Sequence, residues 1–280
     1  MAGQGHPVEV AARVLGVVSV SGFYAWRSHV PSARHVRHAL LLEAIQQIHK
    51  DSRGVYGARR VHAELVLGRG IQVWRGTVAM LMSRNGIQGT AGRPRWRRPH
   101  PDLISTDLVD RQLRRQGLDQ LWVTDITEHP TREGKVYCAV VLDVCSRRVV
   151  GWSIDANPTS ALVTNALAMA IDTRRPPAGT IIHSDHGVQF GSWAFTRRAK
   201  ESGLVPSMGS IGDCYDAVIE SFWSRMQIEL LNRKRWRTRI ELANAIFEYL
   251  EIFHNRRRRH SSLGWLTPQE FENKQPVVVA

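Results

Sequence analysis

The sequence predicts an α/β chain in which a mixed sheet flanked by helices follows an all-helical region. Three observations carry that expectation. Apolar residues recur at helical spacing up to about Asn85, and after about Gln120 the pattern changes to short apolar runs. One of these, Val136-Tyr137-Cys138-Ala139-Val140-Val141-Leu142-Asp143, is almost wholly apolar, as a central strand covered on both faces must be. From Ser160 onward helical and extended patterns alternate, which is the order of a layered sheet-and-helix domain.

At 280 residues the chain has room for one sizeable domain or two smaller ones. Its content of 43% hydrophobic and 22% charged residues excludes disorder throughout. The formal net charge of +13 is more informative, because such an excess calls for a polyanionic partner, most commonly nucleic acid. Cys138, Cys145 and Cys214 form no CxxC pair, so reduced thiols are expected and a zinc knuckle is not. The apolar run at residues 8–20 contains Glu9 and Arg13, and nothing reaches the ~18 apolar residues of a membrane span. The expectation is a cytoplasmic, nucleoid-associated protein with no membrane partner.

Residues 33–50 place Val36, Leu40, Ala44 and Ile48 at helical spacing, with Arg34, Arg37 and His38 elsewhere on the surface. The turn Ser52-Arg53-Gly54-Val55-Tyr56-Gly57 leads to a second helix over 58–67, opened by Arg59 and Arg60. Thr77 is expected to cap a third helix, 78–84, that stops at Asn85-Gly86. Short helices joined by tight turns fit a helix-turn-helix able to enter a DNA groove, and equally a plain three-helix bundle. Glycines and prolines interrupt residues 89–101, where Arg93, Arg95, Arg97 and Arg98 surround Trp96. Such a linker can lie along phosphates with its indole on a base, or serve as a solvated hinge.

A first strand is expected over 120–127, carrying Asp125 near its end, and a second over 136–143. A third, 149–154, follows the polar turn Cys145-Ser146-Arg147-Arg148, so the second and third should be adjacent and antiparallel. A helix over 160–172 stops at Pro176-Pro177. The strand 180–183 then delivers Asp185 to a rim, where Gly187 lets the backbone turn. A helix over 193–202 and a short strand near 205–207 come next. The helix 216–231 sets Ile219, Phe222, Met226 and Leu230 on one side and Glu220, Ser224 and Gln227 on a neighbouring one. A last amphipathic helix, 240–253, runs through Leu242, Ile246, Leu250 and Phe253 into the cationic run Arg256–Arg259.

Three acids stand out: Asp125 and Asp185 at strand ends, and Glu220 on a helix. Mg²⁺ prefers oxygen ligands, so a few carboxylates and a substrate phosphate suffice to hold it. Two such ions ~4 Å apart can activate an attacking oxygen and stabilise a leaving one in phosphoryl transfer. Carboxylates alone repel DNA, but metal ions reverse that sign while a basic surface supplies general attraction.

At these residues the chain resembles the integrase-type DDE transposases of bacterial insertion sequences, whose catalytic core is similar to retroviral integrase and ribonuclease H. The matching stretches are Gln120-Leu121-Trp122-Val123-Thr124-Asp125-Ile126-Thr127, Val141-Leu142-Asp143, Ser146-Arg147-Arg148-Val149-Val150-Gly151-Trp152 and His183-Ser184-Asp185-His186-Gly187-Val188-Gln189-Phe190. Cys214-Tyr215-Asp216 with Glu220-Ser221-Phe222-Trp223, Phe253-His254-Asn255-Arg256, His260-Ser261-Ser262-Leu263-Gly264 and Thr267-Pro268 continue the match in order. Tyr56-Gly57-Ala58-Arg59-Arg60 resembles the preceding helix-turn-helix segment.

The resemblance implies a ribonuclease H-like core in which Asp125, Asp185 and Glu220 are catalytic and bind two Mg²⁺ or Mn²⁺ ions. Water would cleave double-stranded DNA at the element's ends, and the freed 3′-hydroxyl would attack target DNA, with a homo-oligomer holding two ends together. A companion polypeptide from an upstream frame often adds another helix-turn-helix in this family. The implied organisation is a DNA-binding region over 1–88, a basic linker over 89–104 and the catalytic domain with its C-terminal helix over 105–275.

One departure bears on activity. The family carries Tyr-Asp-Asn-Ala ahead of the glutamate, whereas Tyr215-Asp216-Ala217 lacks the Asn. Asp185 and Glu220 are therefore separated by 34 residues, 186–219, one fewer than usual. One helical residue is worth ~100° and ~1.5 Å, enough to misplace a ligand if the helix start is rigid. Gly209 and Gly212 can absorb the loss upstream, so a folded enzyme of reduced activity is expected. The rivals are a DNA-binding remnant with impaired catalysis and a structure-selective nuclease of the same fold. Asp143 is read as supporting, Asp216 as a helix cap, His183 and His186 as structural or DNA-facing, and Trp122 and Trp152 as core.

Overall fold

The computed structural model describes residues 10, 19–28, 30–90, 117–185, 187–208 and 216–275. The arginine-rich part of the linker, Cys214, Tyr215, His186, Gly209, Gly212 and the side chain of Asp216 lie outside them.

Helices α1 (Val20–Arg27) and α2 (Ala33–Asp51) come first, each with a serine hydroxyl accepting from a backbone amide at its start. Helix α3 (Ala58–Ala63) widens into a π-helical turn at Glu64–Gly68, and α4 (Arg75–Arg84) follows. Two expectations are corrected here. On helix α2 Ile48 is buried and Ala44 packs on the core as expected, but Val36 and Leu40 remain exposed and Leu41 and Ile45 are buried in their place. Helix α4 begins at Arg75 with Trp74 at its cap position, and Thr77 sits inside the first turn, its amide bonded to the Trp74 carbonyl.

The sheet has five strands in the order β3-β2-β1-β4-β5: β1 (Leu121–Thr131), β2 (Gly134–Asp143), β3 (Val149–Asp155), β4 (Ile181–Ser184) and β5 (Val205–Met208). β1, β2 and β3 form an antiparallel meander, whereas β4 pairs parallel to β1 and β5 parallel to β4. The expected pairing of the second and third strands holds. Helix α5 (Ser160–Arg174) returns the chain across one face, so close to β3 that a side chain at Gly151 would collide with the Ala166 carbonyl. Helix α6 (Trp193–Glu201) joins it there, completing a core of Trp122, Val141, Leu167, Ile182 and Phe195.

Helices α7 (Asp216–Glu229) and α8 (Arg239–Phe247) cover the opposite face; α8 continues as a π-helical segment, Glu248–Arg257, and α9 (Pro268–Lys274) ends the described chain. Ile219, Phe222, Met226 and Leu230 are all buried, as are Leu242, Ile246, Leu250 and Phe253, which is the pattern the spacing predicts. These residues share one continuous apolar cluster with Leu41, Ile45, Val61, Leu65 and Val78 of the helical region. Helices α2, α3 and α4 are therefore packed onto the sheet's α7–α8 face.

A buried polar seam fastens that junction. Glu229 accepts two hydrogen bonds from Arg258, both at 2.7 Å, and a third from Tyr249 at 3.0 Å. Arg60 approaches the same carboxylate at 3.5 Å. Arg259 reaches Glu64 at 2.7 Å and Glu270 at 2.5 Å, while the Tyr56 hydroxyl donates to the Arg257 carbonyl and accepts from the Arg259 amide. Of the cationic run at 256–259, Arg258 and Arg259 are buried, while Arg256 and Arg257 are exposed. Near the start of α3, Arg60 is engaged in this seam and Arg59 is exposed. Burial opposes ionisation of Glu229, yet the Arg258 hydrogen bonds prevail and hold its carboxyl below the usual range.

His254 lies in the same seam, donating through Nε2 to the Arg147 carbonyl at 2.8 Å. Burial, then the charge of Arg258, lowers its pKa to about 4. An unfolded histidine titrates near ~6.5, so the native state binds fewer protons between those values. The stability supplied by the neutral ring is complete above about pH 6.5 and is lost as pH falls toward 4. His254→Gln, which retains a donor for the carbonyl, is expected to flatten the acid limb of a Tm-against-pH curve. An acid limb as steep as the wild type's would contradict this.

Candidate active site

The two aspartates are placed by strand register. β1 and β4 run parallel with Thr124 opposite Ser184, so Asp125 and Asp185 are the next residues on adjacent strands ~4.8 Å apart. β4 stops at Ser184, and Asp185 opens the following loop, its Oδ1 accepting from the Gly187 amide at 3.0 Å. A side-chain carbon at Gly187 would stand 2.9 Å from that oxygen, so any other residue there would have to move the carboxylate. Asp125 is not at the end of its own strand, contrary to expectation. β1 continues to Thr131 because its hairpin with β2 outlasts the short parallel pairing.

Asp125 and Asp185 border two adjoining clefts. One, of about 190 Å³, is lined also by Val123, Thr124, His183, Ser184, Ile219 and Glu220. The other, of about 300 Å³, extends past Thr127, Tyr137, Pro158 and Gln189. The structure thus brings all three predicted acids to one cleft, with Asp185 and Glu220 exposed and Asp125 half-buried. Helix α7 supplies Glu220 and, one turn later, Trp223, whose indole donates to Asp125 Oδ2 at 2.9 Å. The same ring packs edge-on to Phe222 at 4.8 Å, and Phe222 to His254 at 5.0 Å. Trp223 carries a role that sequence reading missed, although its spacing from Glu220 was a usable signal.

The neighbouring polar groups are structural. Asp143 is fully buried and accepts from the amides of Ser146 and Asp119 and from the Ser146 hydroxyl, which holds the β2–β3 turn; burial raises its pKa. His183 is buried, with Nδ1 3.2 Å from the Ser207 hydroxyl on β5. Trp122 is wholly buried, while Trp152 is half-buried and donates to Glu251 at 2.8 Å. Cys138 is buried, Cys145 is half-buried, and both are free thiols.

The carboxylates offer only hard oxygen donors, a set suited to Mg²⁺ or Mn²⁺. Among the described residues, however, no group of three His, Cys, Asp or Glu side chains is gathered closely enough to hold one ion. Both Asp125 oxygens are engaged by protein donors, Trp223 at Oδ2 and the Ile126 amide at Oδ1. The donors are chemically of the kind a hard divalent cation takes.

A strand pair delivering two aspartates beside a helix-borne glutamate, behind a helical DNA-binding type of module, defines an integrase-core class of protein. Sequence comparison reaches the same class: residues 116–214 and 202–268 match Integrase core domain families, and residues 37–95 match an HTH-like domain. The "Transposase InsF for insertion sequence IS3A" of Escherichia coli is 35% identical over 95% of this chain and 94% of its own length. The "Transposase for insertion sequence element IS629" of Shigella sonnei is 38% identical over 86% of this chain and 81% of its own. The 31 kDa protein of insertion element IS600, also from Shigella sonnei, is 37% identical over 94% and 98%. The chain belongs to the IS3-type insertion-sequence transposases.

Trp223→Phe keeps the ring and removes the N–H that binds Asp125. A hydrogen bond to a charged group is worth about 1.5–3 kcal/mol when buried, and half-exposure of Asp125 reduces that. A loss of about 1 kcal/mol in chemical denaturation is expected, and a larger loss for Trp223→Leu, which also removes the aromatic contact with Phe222. Equal stability of wild type and the Phe variant would remove the bond from the account.

Proposed function

We propose that this transposase cleaves DNA at its element's ends and joins the freed strands to target DNA, using Asp125, Asp185 and Glu220. The observation that supports this most is the register of β1 and β4, which sets two aspartates side by side in the cleft that Glu220 also lines. In the proposed reaction a water oxygen attacks the phosphorus at the element's end. The bond to the 3′-oxygen breaks, and that oxygen leaves as a hydroxyl. The 3′-hydroxyl then attacks a target phosphodiester, forming one P–O bond as another breaks, with no covalent link to the protein. Asp125, Asp185 and Glu220 would hold two Mg²⁺ or Mn²⁺ ions, which, when bound, activate the attacking oxygen and stabilise the leaving one.

The chain's own residues do the positioning. Trp223 fixes the rotamer of Asp125, the Gly187 amide that of Asp185, and α7 sets the height of Glu220 over β1. The net charge of +13 supplies salt-dependent attraction for double-stranded DNA at element ends and target. A homo-oligomer assembled on two ends and, optionally, a companion upstream-frame polypeptide complete the proposed complex.

A second reading, a DNA-binding remnant with impaired catalysis, draws on one observation. Asp185 and Glu220 are one residue closer in sequence than the family pattern, and no three acids gather around one point among the described residues.

The deciding experiment offers labelled element-end duplex to the purified protein with Mg²⁺, beside Asp185→Asn. Nicking at the end that the variant loses, by 10²-fold or more, is the expected result. Binding without any metal-dependent nick would favour the remnant. Inserting Asn between Asp216 and Ala217 is expected to raise the nicking rate, and an unchanged rate would acquit the shortened segment.

A further inference from the structure

The segment Leu231-Asn232-Arg233-Lys234-Arg235-Trp236-Arg237-Thr238-Arg239 carries five cations within seven residues, and the tip of the β1–β2 hairpin brings Arg132 against it. Together they form a cleft of about 420 Å³ lined by His129, Pro130, Thr131, Arg132, Lys234 and Arg235, among others. The cleft is built rather than incidental. Trp236 is buried and donates to the Leu231 carbonyl at 2.9 Å, and the Arg132 amide donates to the Trp236 carbonyl at 3.2 Å, so hairpin and loop are held together. Lys234 lies 4.3 Å from the Trp236 ring centroid and pairs with Glu241 at 2.6 Å. Arg132 and Arg235 are exposed, and no carboxylate among the described residues is within ion-pair distance of either.

Like charges so concentrated repel one another, and the cost is offset when a polyanion spans them. We infer that this cleft is a phosphate-backbone clamp for the duplex whose reacting end occupies the Asp125–Asp185–Glu220 cleft, an assignment that rests on the proposed function. Two rulers set its distance from the acids. Along β1, Asp125 and Thr131 are six residues apart, about 20 Å at ~3.3 Å per residue. Along α7 and the 3₁₀ turn that follows it, Glu220 and Leu231 are eleven residues apart, about 16 Å at ~1.5 Å per residue. Asp125, His129 and Thr131 alternate onto the same face of β1, the face α7 covers. A duplex following that direction meets the clamp about five to six base pairs from the reacting phosphate, at ~3.4 Å per pair.

The clamp differs from the acid cleft in what it recognises. It contacts phosphate oxygens and reads no bases, so it sets register and orientation while leaving sequence discrimination to other surfaces. Arg132 and Arg235 hold the backbone, and Lys234, already seated on Trp236, adds a third cation at fixed position.

The test uses the full-length protein, Ca²⁺ in place of Mg²⁺ so that binding is read without cleavage, and a labelled duplex taken from the element's end. The variant is Arg132→Gln with Arg235→Gln; the control is Arg197→Gln with Lys200→Gln on α6. The expected result is a slope of log affinity against log salt shallower by about 2 in the variant, with hydroxyl-radical protection five to six base pairs from the end lost and protection nearer the end kept. A wild-type slope and footprint in the variant, or an equal change in the control, would overturn the clamp. Failure of the wild type to bind the duplex at all would instead overturn the proposed function and the clamp with it.

Discussion

The parallel pairing of β1 with β4 is the constraint from which the site follows. A parallel pair needs a crossover, here α5, and its register fixes which residues leave the sheet together. With Thr124 opposite Ser184, a slip of one residue would turn either aspartate to the far face, among Trp122, Val141 and Ile182. Gly151 is part of the same constraint, because α5 can lie close enough to the sheet only where a strand carries no side chain. The pairing also explains why β1 serves two purposes. Leu121 to Thr124 are paired on both edges, up to the residue before the aspartate; from Asp125 onward the strand is paired only with β2 and projects toward the loop containing Arg235.

Helix α7 ties that sheet to the remainder of the molecule. Its apolar side enters the large core, its tryptophan binds Asp125, and its last residue, Glu229, anchors the Arg258 pair. A buried ion pair contributes little net stability, but breaking one leaves an uncompensated charge and costs several kcal/mol. The seam of Arg60, Glu64, Glu229, Arg258 and Arg259 therefore acts as a registry device. It accepts one placement of the helical region on the core and penalises others. Part of two arginine-rich motifs is spent on this internal docking, namely Arg60, Arg258 and Arg259, while Arg59, Arg256 and Arg257 stay exposed.

How much of this could be read from the sequence depends on whether the signal was periodic or pairwise. The wholly apolar run at Val136–Leu142 and the spacing of Ile219, Phe222, Met226 and Leu230 reveal burial directly, because one face of a strand or helix is set by residues on that element alone. Asp125 and Asp185 drew attention as carboxylates beside apolar runs, but that they share a cleft follows from a strand pairing that neither run reveals. The fate of Arg258 was not legible, since a cation's burial depends on Glu229, 29 residues away along the chain, and on Tyr249 closing over both. The same holds for α2, where two adjacent apolar registers, Val36–Leu40 and Leu41–Ile45, fit the helical period equally and the partner surface chose between them.

The shortened approach to Glu220 has to be weighed against what holds α7 in place. A residue lost from a helix's first turn displaces the residues after it only if the chain before them, rather than their own packing, sets the helix position. Here Met226 and Leu230 in the core, Trp223 on Asp125 and Glu229 on Arg258 fix α7 at three levels along its length, all downstream of the missing residue. Rotating the helix by the ~100° of one residue would pull all of them out at once, at a cost well beyond that of straightening a loop. Glu220, one turn before Trp223, therefore sits on a helix whose packing and polar contacts all lie on its own later turns.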